Sequence, residues 1–158
     1  PDEKKEGERY DSGRIVVFTD GSSIQIEYRT LQRAGWGAFF GKRHPWNAKG
    51  PVNTRSQTSY RGELRALMHI MATASIPTQI VTDCMTLVGQ AGEMLKAREE
   101  ETEAPIPGSE KDLWTIIRHQ INERPKQFFD IRWTPAHFVL FYQHTNQAHR
   151  VNVTARAW

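Results

Sequence analysis

Two short apolar runs, each closed by an aspartate and separated by an amphipathic helix, constrain this chain more than anything else in it. The first is Ile15-Val16-Val17-Phe18-Thr19, followed by Asp20. The second is Gln79-Ile80-Val81-Thr82, followed by Asp83. Between them Leu64, Leu67, Met68 and Met71 recur at helical spacing, with Glu63 in the first turns of the same helix. Short apolar runs of this kind bury as strands, and a helix with one apolar face must lay it on a sheet or another helix. The pattern therefore implies an α/β sheet with two strand-end aspartates and one helical glutamate at a common site. Hard oxygen ligands of this kind hold Mg²⁺ against a phosphate, which points to metal-dependent hydrolysis of a phosphodiester. Taken singly, each carboxylate has a plainer reading. Asp20 before Gly21-Ser22-Ser23 suits a turn, Asp83 suits a cap for a helix near Met85, and Glu63 suits the positive end of a helix dipole.

The remaining elements fit one domain. Gly35 to Gly41 reads as a second strand and Trp46 to Asn53 as a weaker third. Ser22 to Arg33 reads as a polar connection, extended in part. Gly62 lacks a side chain and lets its helix lie close to the sheet. A helix follows from Met85 to about Leu95, then an acidic and proline-rich loop over 96–110. Ser109 with Asp112 has the shape of a capping box. The helix it opens carries Leu113, Ile117 and Ile121 on one face, with Trp114 beside them. Phe128 to Trp133 reads as a fifth strand, and a short last helix runs toward Trp158. Residues 1–12 read as a disordered lead-in and 13–158 as a single domain. The expected order is β-β-β-α-β-α-α-β-α, a five-stranded mixed sheet with helices on both faces.

Charge is uneven. Between Glu27 and Arg65 stand eight cationic side chains, Arg29, Arg33 and Arg55 among them, against two glutamates. Between Glu93 and Glu103 five glutamates face Lys96 and Arg98. A basic stretch beside a carboxylate cage suits a polyanionic partner such as nucleic acid. The single cysteine, Cys84, leaves no internal disulfide and fits a reducing, intracellular setting. No apolar run is long enough to span a membrane, so no membrane partner is expected. A start at Pro1 suggests a piece of a longer polypeptide.

Four strings in order resemble ribonuclease H of type 1, including the domains attached to reverse transcriptases. They are Phe-Thr-Asp20-Gly-Ser, Gln57-Thr-Ser-Tyr-Arg61-Gly-Glu63-Leu, Val-Thr-Asp83 and Trp133-Thr-Pro-Ala-His137. The resemblance implies a ribonuclease H-like fold and an endonuclease that cuts the RNA strand of RNA/DNA hybrids with two Mg²⁺ ions, Mn²⁺ being able to substitute. It gives Asp20 the place bridging both ions, and puts Glu63 and Asp83 both on one of them. It makes His137 the histidine of a mobile loop that helps move protons and release product. Nucleic-acid contacts are expected from Gly21, Ser22 and Arg61, and from Ser59 and Tyr60, which depart from the Asn or Gln that the family often has before its helical glutamate. Ser59 is suited to a 2′-hydroxyl, and Tyr60 either stacks on a base or packs.

The resemblance fails at the end of the chain. The family carries a fourth carboxylate on its last helix, but no Asp or Glu follows Asp130 here. One alignment of the tail puts Asn152 at that position, another puts Arg150 there, and His149 is a third possibility. Residues 138–158, with the apolar Phe138-Val-Leu-Phe-Tyr142, are divergent. A catalytically degenerate domain that binds nucleic acid or a partner protein is therefore the alternative reading. A transposase or integrase of the same fold is a third, weakened because Arg118 stands where its last glutamate would fall.

Overall fold

The structure, a computed structural model, describes residues 8–25, 32–52 and 58–135. Six strands form one mixed sheet with three helices among the described residues. The strands are β1 (Tyr10–Asp11), β2 (Arg14–Gln25), β3 (Gln32–Phe39), β4 (Ala48–Pro51), β5 (Thr78–Thr82) and β6 (Phe129–Trp133). The helices are α1 (Ser59–Thr73), α2 (Met85–Glu100) and α3 (Lys111–Asn122). The sheet runs β4-β3-β2-β5-β6, with β1 paired to β2.

Register decides where the strand ends fall. β2 pairs antiparallel with β3 but parallel with β5, with Phe18 opposite Val81. Asp20 and Asp83 each lie two residues further along, so adjacent parallel strands deliver them side by side. The carboxyl ends of parallel strands are where open α/β sheets place their ligand sites. β6 continues the parallel run, with Thr82 opposite Trp133.

The core lies between the sheet and the helices. Ile15, Val17, Ala38, Ile80, Phe129 and Ile131 supply the sheet side. Leu64, Leu67 and Met71 of α1 are buried on them as the spacing predicts, with Met68 partly buried. Leu113, Trp114, Ile117 and Ile121 bring α3 into the same cluster. The first turn of α1 sits against bare backbone. A Cβ at Gly62 would fall 2.2 Å from the Gly35 carbonyl oxygen, and one at Gly21 would fall 2.6 Å from the Glu63 nitrogen. Contacts that short exclude any side chain, as expected for Gly62. The matching demand at Gly21 was not visible in the sequence.

Several expectations are corrected. The lead-in expected over 1–12 already contains ordered structure. Tyr10–Asp11 returns as β1 through Ser12 and Gly13, both at positive φ, the geometry of a tight two-residue hairpin. The sheet therefore has a sixth strand. The connection over Ser22 to Arg33 is extended in part, as expected, since β2 reaches Gln25 and β3 begins at Gln32. α2 continues to Glu100 rather than stopping near Leu95. Ala97 is buried, and Arg98 donates from Nε and Nη2 to the Arg124 carbonyl, so residues 96–100 are helix with a charged outer side. The capping box at Ser109 does not form. Glu110 is the N-cap, at φ 58° and without a side-chain cap, because its carboxylate and that of Asp112 both turn to Arg61. The last helix expected toward Trp158 lies outside the described residues.

Candidate metal centre

Each of the three carboxylates reaches the site for a local reason. Asp20 lies in β2 just past its last pairing with β5. Asp83 follows the last residue of β5, with Cys84 capping α2 behind it. Glu63 is in the first turns of α1, whose N-cap Thr58 accepts a hydrogen bond from the Arg61 nitrogen. The three offer oxygens that all lie within 4.8 Å of one another. Asp20 and Glu63 are buried, and Asp83 is partly open to solvent. Three hard oxygen donors at this spacing, one side open, fit Mg²⁺ or Mn²⁺ in size and chemistry.

Glu63 is held in one orientation. Its Oε1 accepts from the Thr19 hydroxyl at 3.1 Å and from the Thr82 hydroxyl at 2.9 Å. Its Oε2 accepts from the Gly21 backbone N–H at 2.5 Å. Burial and, second, the charge of Asp83 push its carboxyl up to about 7, although all three hydrogen bonds pull the other way. A buried acid beside another acid resists ionising until a cation arrives. The Thr82 hydroxyl also accepts from the Cys84 N–H at 3.1 Å, which fixes the direction of its own proton toward Glu63. The sequence reading missed Thr19 and Thr82. The signal was present, because both aspartates are preceded by threonine.

The other expected site residues fare differently. Ser59 is exposed at the first position of α1, and its carbonyl lies against Gly21. The Gly21 N–H is committed to Glu63. Tyr60 packs: its hydroxyl donates to Gln90 and accepts from Trp114 Nε1 at 3.0 Å. Burial pushes that phenol up. Arg61 is buried and bound by Glu110 at 2.5 Å and by Asp112 at 2.8 Å, so the expected nucleic-acid contact is instead an internal ion pair. Its hydrogen bonds to Asp112 hold the guanidinium charged and Asp112 below the usual carboxylate range. Ser22 and Arg33 are placed by backbone pairing with Gly35 and Ile24. Arg29, Arg55, His137, His149, Arg150 and Asn152 lie outside the described residues. Trp133 closes β6 beside the cluster and donates from Nε1 to the Asp83 carbonyl at 3.2 Å.

Comparison with known proteins finds the same fold elsewhere. The structure of the foamy viral protease-reverse transcriptase in complex with dsDNA is similar at a TM-score of 0.61 and 20% identity, over 91% of this chain and 94% of that one. The solution structure of the PFV RNase H domain is similar at a TM-score of 0.61 and 17% identity, over 90% and 91%. The crystal structure of the native Prototype Foamy Virus protease-reverse transcriptase matches at a TM-score of 0.56 and 20% identity, over 90% of this chain and 20% of that one. At these identities the likeness is one of fold. No curated protein sequence matches the chain. Among the described residues no helix is long and apolar enough to cross a membrane. The RNase H family model matches residues 12–153, nearly the whole sequence, and the chain belongs to the RNase H family.

Proposed function

We propose that this chain is an endonuclease that hydrolyses the RNA strand of RNA/DNA hybrids, with Asp20, Glu63 and Asp83 holding two divalent cations. The observation that carries the reading is the convergence of three carboxylates within 4.8 Å at the end of two parallel strands. Asp20 would help hold both ions, with Glu63 and Asp83 both on one of them. When bound, divalent metal supplies an activated water and neutralises charge at the departing 3′-oxygen. The protein's part is orientation. Thr19, Thr82 and the Gly21 N–H fix the Glu63 carboxylate before any ligand arrives. His137 would pass a proton at the leaving oxygen, and cleavage would leave 3′-hydroxyl and 5′-phosphate ends. Ser59, exposed at the start of α1, is placed to meet a ribose 2′-hydroxyl. Gly21 and Ser22 would lie along the strand, and Arg29, Arg33 and Arg55 would bind the phosphate backbone.

Residues 13–158 would act as one such domain. It would work inside a larger polypeptide such as a reverse transcriptase, as the foamy viral neighbours are, and in the intracellular setting that the lone Cys84 fits. The test is a cleavage assay on labelled RNA/DNA hybrid, double-stranded RNA and double-stranded DNA, with Mg²⁺, Mn²⁺ or chelator. Cutting confined to the RNA strand of the hybrid and lost in chelator is expected. Equal cutting of all three duplexes would overturn the assignment.

One observation favours a second reading, a domain that binds hybrid or a partner protein without cutting it. No carboxylate follows Asp130 in the sequence, so a fourth acidic ligand from the tail is missing. If Asn152 takes that place, Asn152→Asp raises the rate in Mg²⁺ more than in Mn²⁺, because Mn²⁺ tolerates neutral ligands better. Under the other alignment Arg150→Asp does so. Tight hybrid binding with no cutting by the parent or by either variant would make the non-catalytic reading the better one.

A further inference from the structure

Trp133 is the last residue of β6, opposite Thr82 of β5. The next residue extends the ladder, with the Thr134 N–H on the Thr82 carbonyl at 2.9 Å. Phe129 and Ile131, the alternate residues before it, are buried in the core. Trp133 continues that row beyond the core's end, and there the residue is 47% exposed. Its one polar atom is already occupied, donating to the carbonyl of Asp83 at 3.2 Å. The indole is therefore a rigid, half-bare apolar surface fixed to a residue of the carboxylate cluster. Among the described residues no other aromatic ring stacks on it.

We propose that Trp133 is a substrate-positioning residue, its exposed ring packing on the sugar of a nucleotide next to the phosphate held at the carboxylate cluster. The proposal rests on the nuclease reading above. With its N–H committed, the ring offers surface but no hydrogen bond, so it reads shape and not base identity. An A-like hybrid presents a wide, shallow minor groove lined with sugars, which suits a flat apolar side chain at the groove edge. The ring also sets distance. Anchored on Asp83, it fixes how far the strand sits from the carboxylates.

The test separates ring from hydrogen bond. Trp133→Gln keeps a donor for the Asp83 carbonyl and removes the ring, Trp133→Phe keeps a ring and removes the donor, and Trp133→Ala removes both. Binding of a fluorescein-labelled RNA/DNA hybrid is measured by anisotropy in Mg²⁺ in an Asp20→Asn background. Cleavage kinetics are measured with Asp20 intact. Trp133→Ala and Trp133→Gln should each weaken hybrid binding and raise KM about tenfold, within the range of aromatic contacts to nucleic acid. The effect on kcat should be smaller. Trp133→Phe should recover most of the loss. The salt slope of binding should stay as in the parent, because no cation is removed. Unchanged binding in Trp133→Ala, or a Trp133→Phe no better than it, would overturn the proposal. So would absence of hybrid binding by the parent. If the parent binds and shows this pattern but cuts nothing, the nuclease reading fails while the positioning role stands.

Discussion

Arg61 and Glu63 stand two residues apart at the start of α1, both buried and both ionisable, and they have opposite fates. Arg61 meets Glu110 and Asp112 at the start of α3, and its charge is matched. Glu63 meets Asp20 and Asp83, and like charges gather around it. The first arrangement ties two helices together. The second costs stability that a cation among the carboxylates would offset. Burial alone does not mark a functional charge; the sign of its neighbours does.

The contrast can be broken most strongly at Asp20. Asp20→Asn should abolish hybrid cleavage, on the order of a thousandfold or more, because it removes charge from the centre of the metal cage. The metal-free fold should be as stable or more so, since one of three clustered charges is removed. Near-normal cleavage by this variant, or its unfolding, would refute the site.

Stability should then move in opposite directions at the two buried charges. Arg61→Ala should lose about 2–3 kcal/mol, the lower side of what breaking a buried pair costs, because Asp112 is mostly exposed. Glu63→Gln should gain roughly 1–3 kcal/mol in the metal-free protein at pH 8. Urea unfolding of both variants in chelator measures this, and two losses would remove the contrast.

The acid cluster also predicts a pH dependence. Glu63 titrates near 7 when folded against 4.5 for the ordinary side chain. A raised folded-state value means stability that is fully present below pH 4.5 and lost as pH rises to about 7. Metal-free protein should thus weaken by about 3 kcal/mol across that window. Saturating Mg²⁺, or Glu63→Gln, should flatten the slope. The smallest effect is expected at the threonines. Thr82→Val removes one hydrogen bond to ionised Glu63, about 1 kcal/mol, and should move the Glu63 midpoint further upward. An unmoved midpoint would mean that the hydroxyl contributes nothing to the anion.

Much of this was legible in the residues because it is local. Asp20 and Asp83 each follow an apolar run, Glu63 lies in the first turns of a helix whose periodicity is plain, and Leu113, Ile117 and Ile121 show their buried face by spacing alone. What escaped is non-local. That Phe18 lies opposite Val81, setting the two aspartates abreast, depends on a register that no short string encodes. Arg61 read as a surface cation because its partners lie about fifty residues downstream in a different helix. Residues 96–100 read as loop because charge dominates there, while buried Ala97 and the bonds of Arg98 to the distant Arg124 carbonyl tie the turn to the fold.

The approach of α1 to bare backbone has a consequence for how such a site can change. Gly62 and Gly21 leave no room for a methyl group between helix and strand, so they act as a fixed gauge for the gap across which Glu63 faces Asp20. Side chains around the cluster can be exchanged while that gauge holds. A single added carbon at either glycine would lift the whole helix turn and spread the carboxylates apart. The separation of the carboxylates is therefore set by backbone contact and not by the side chains themselves.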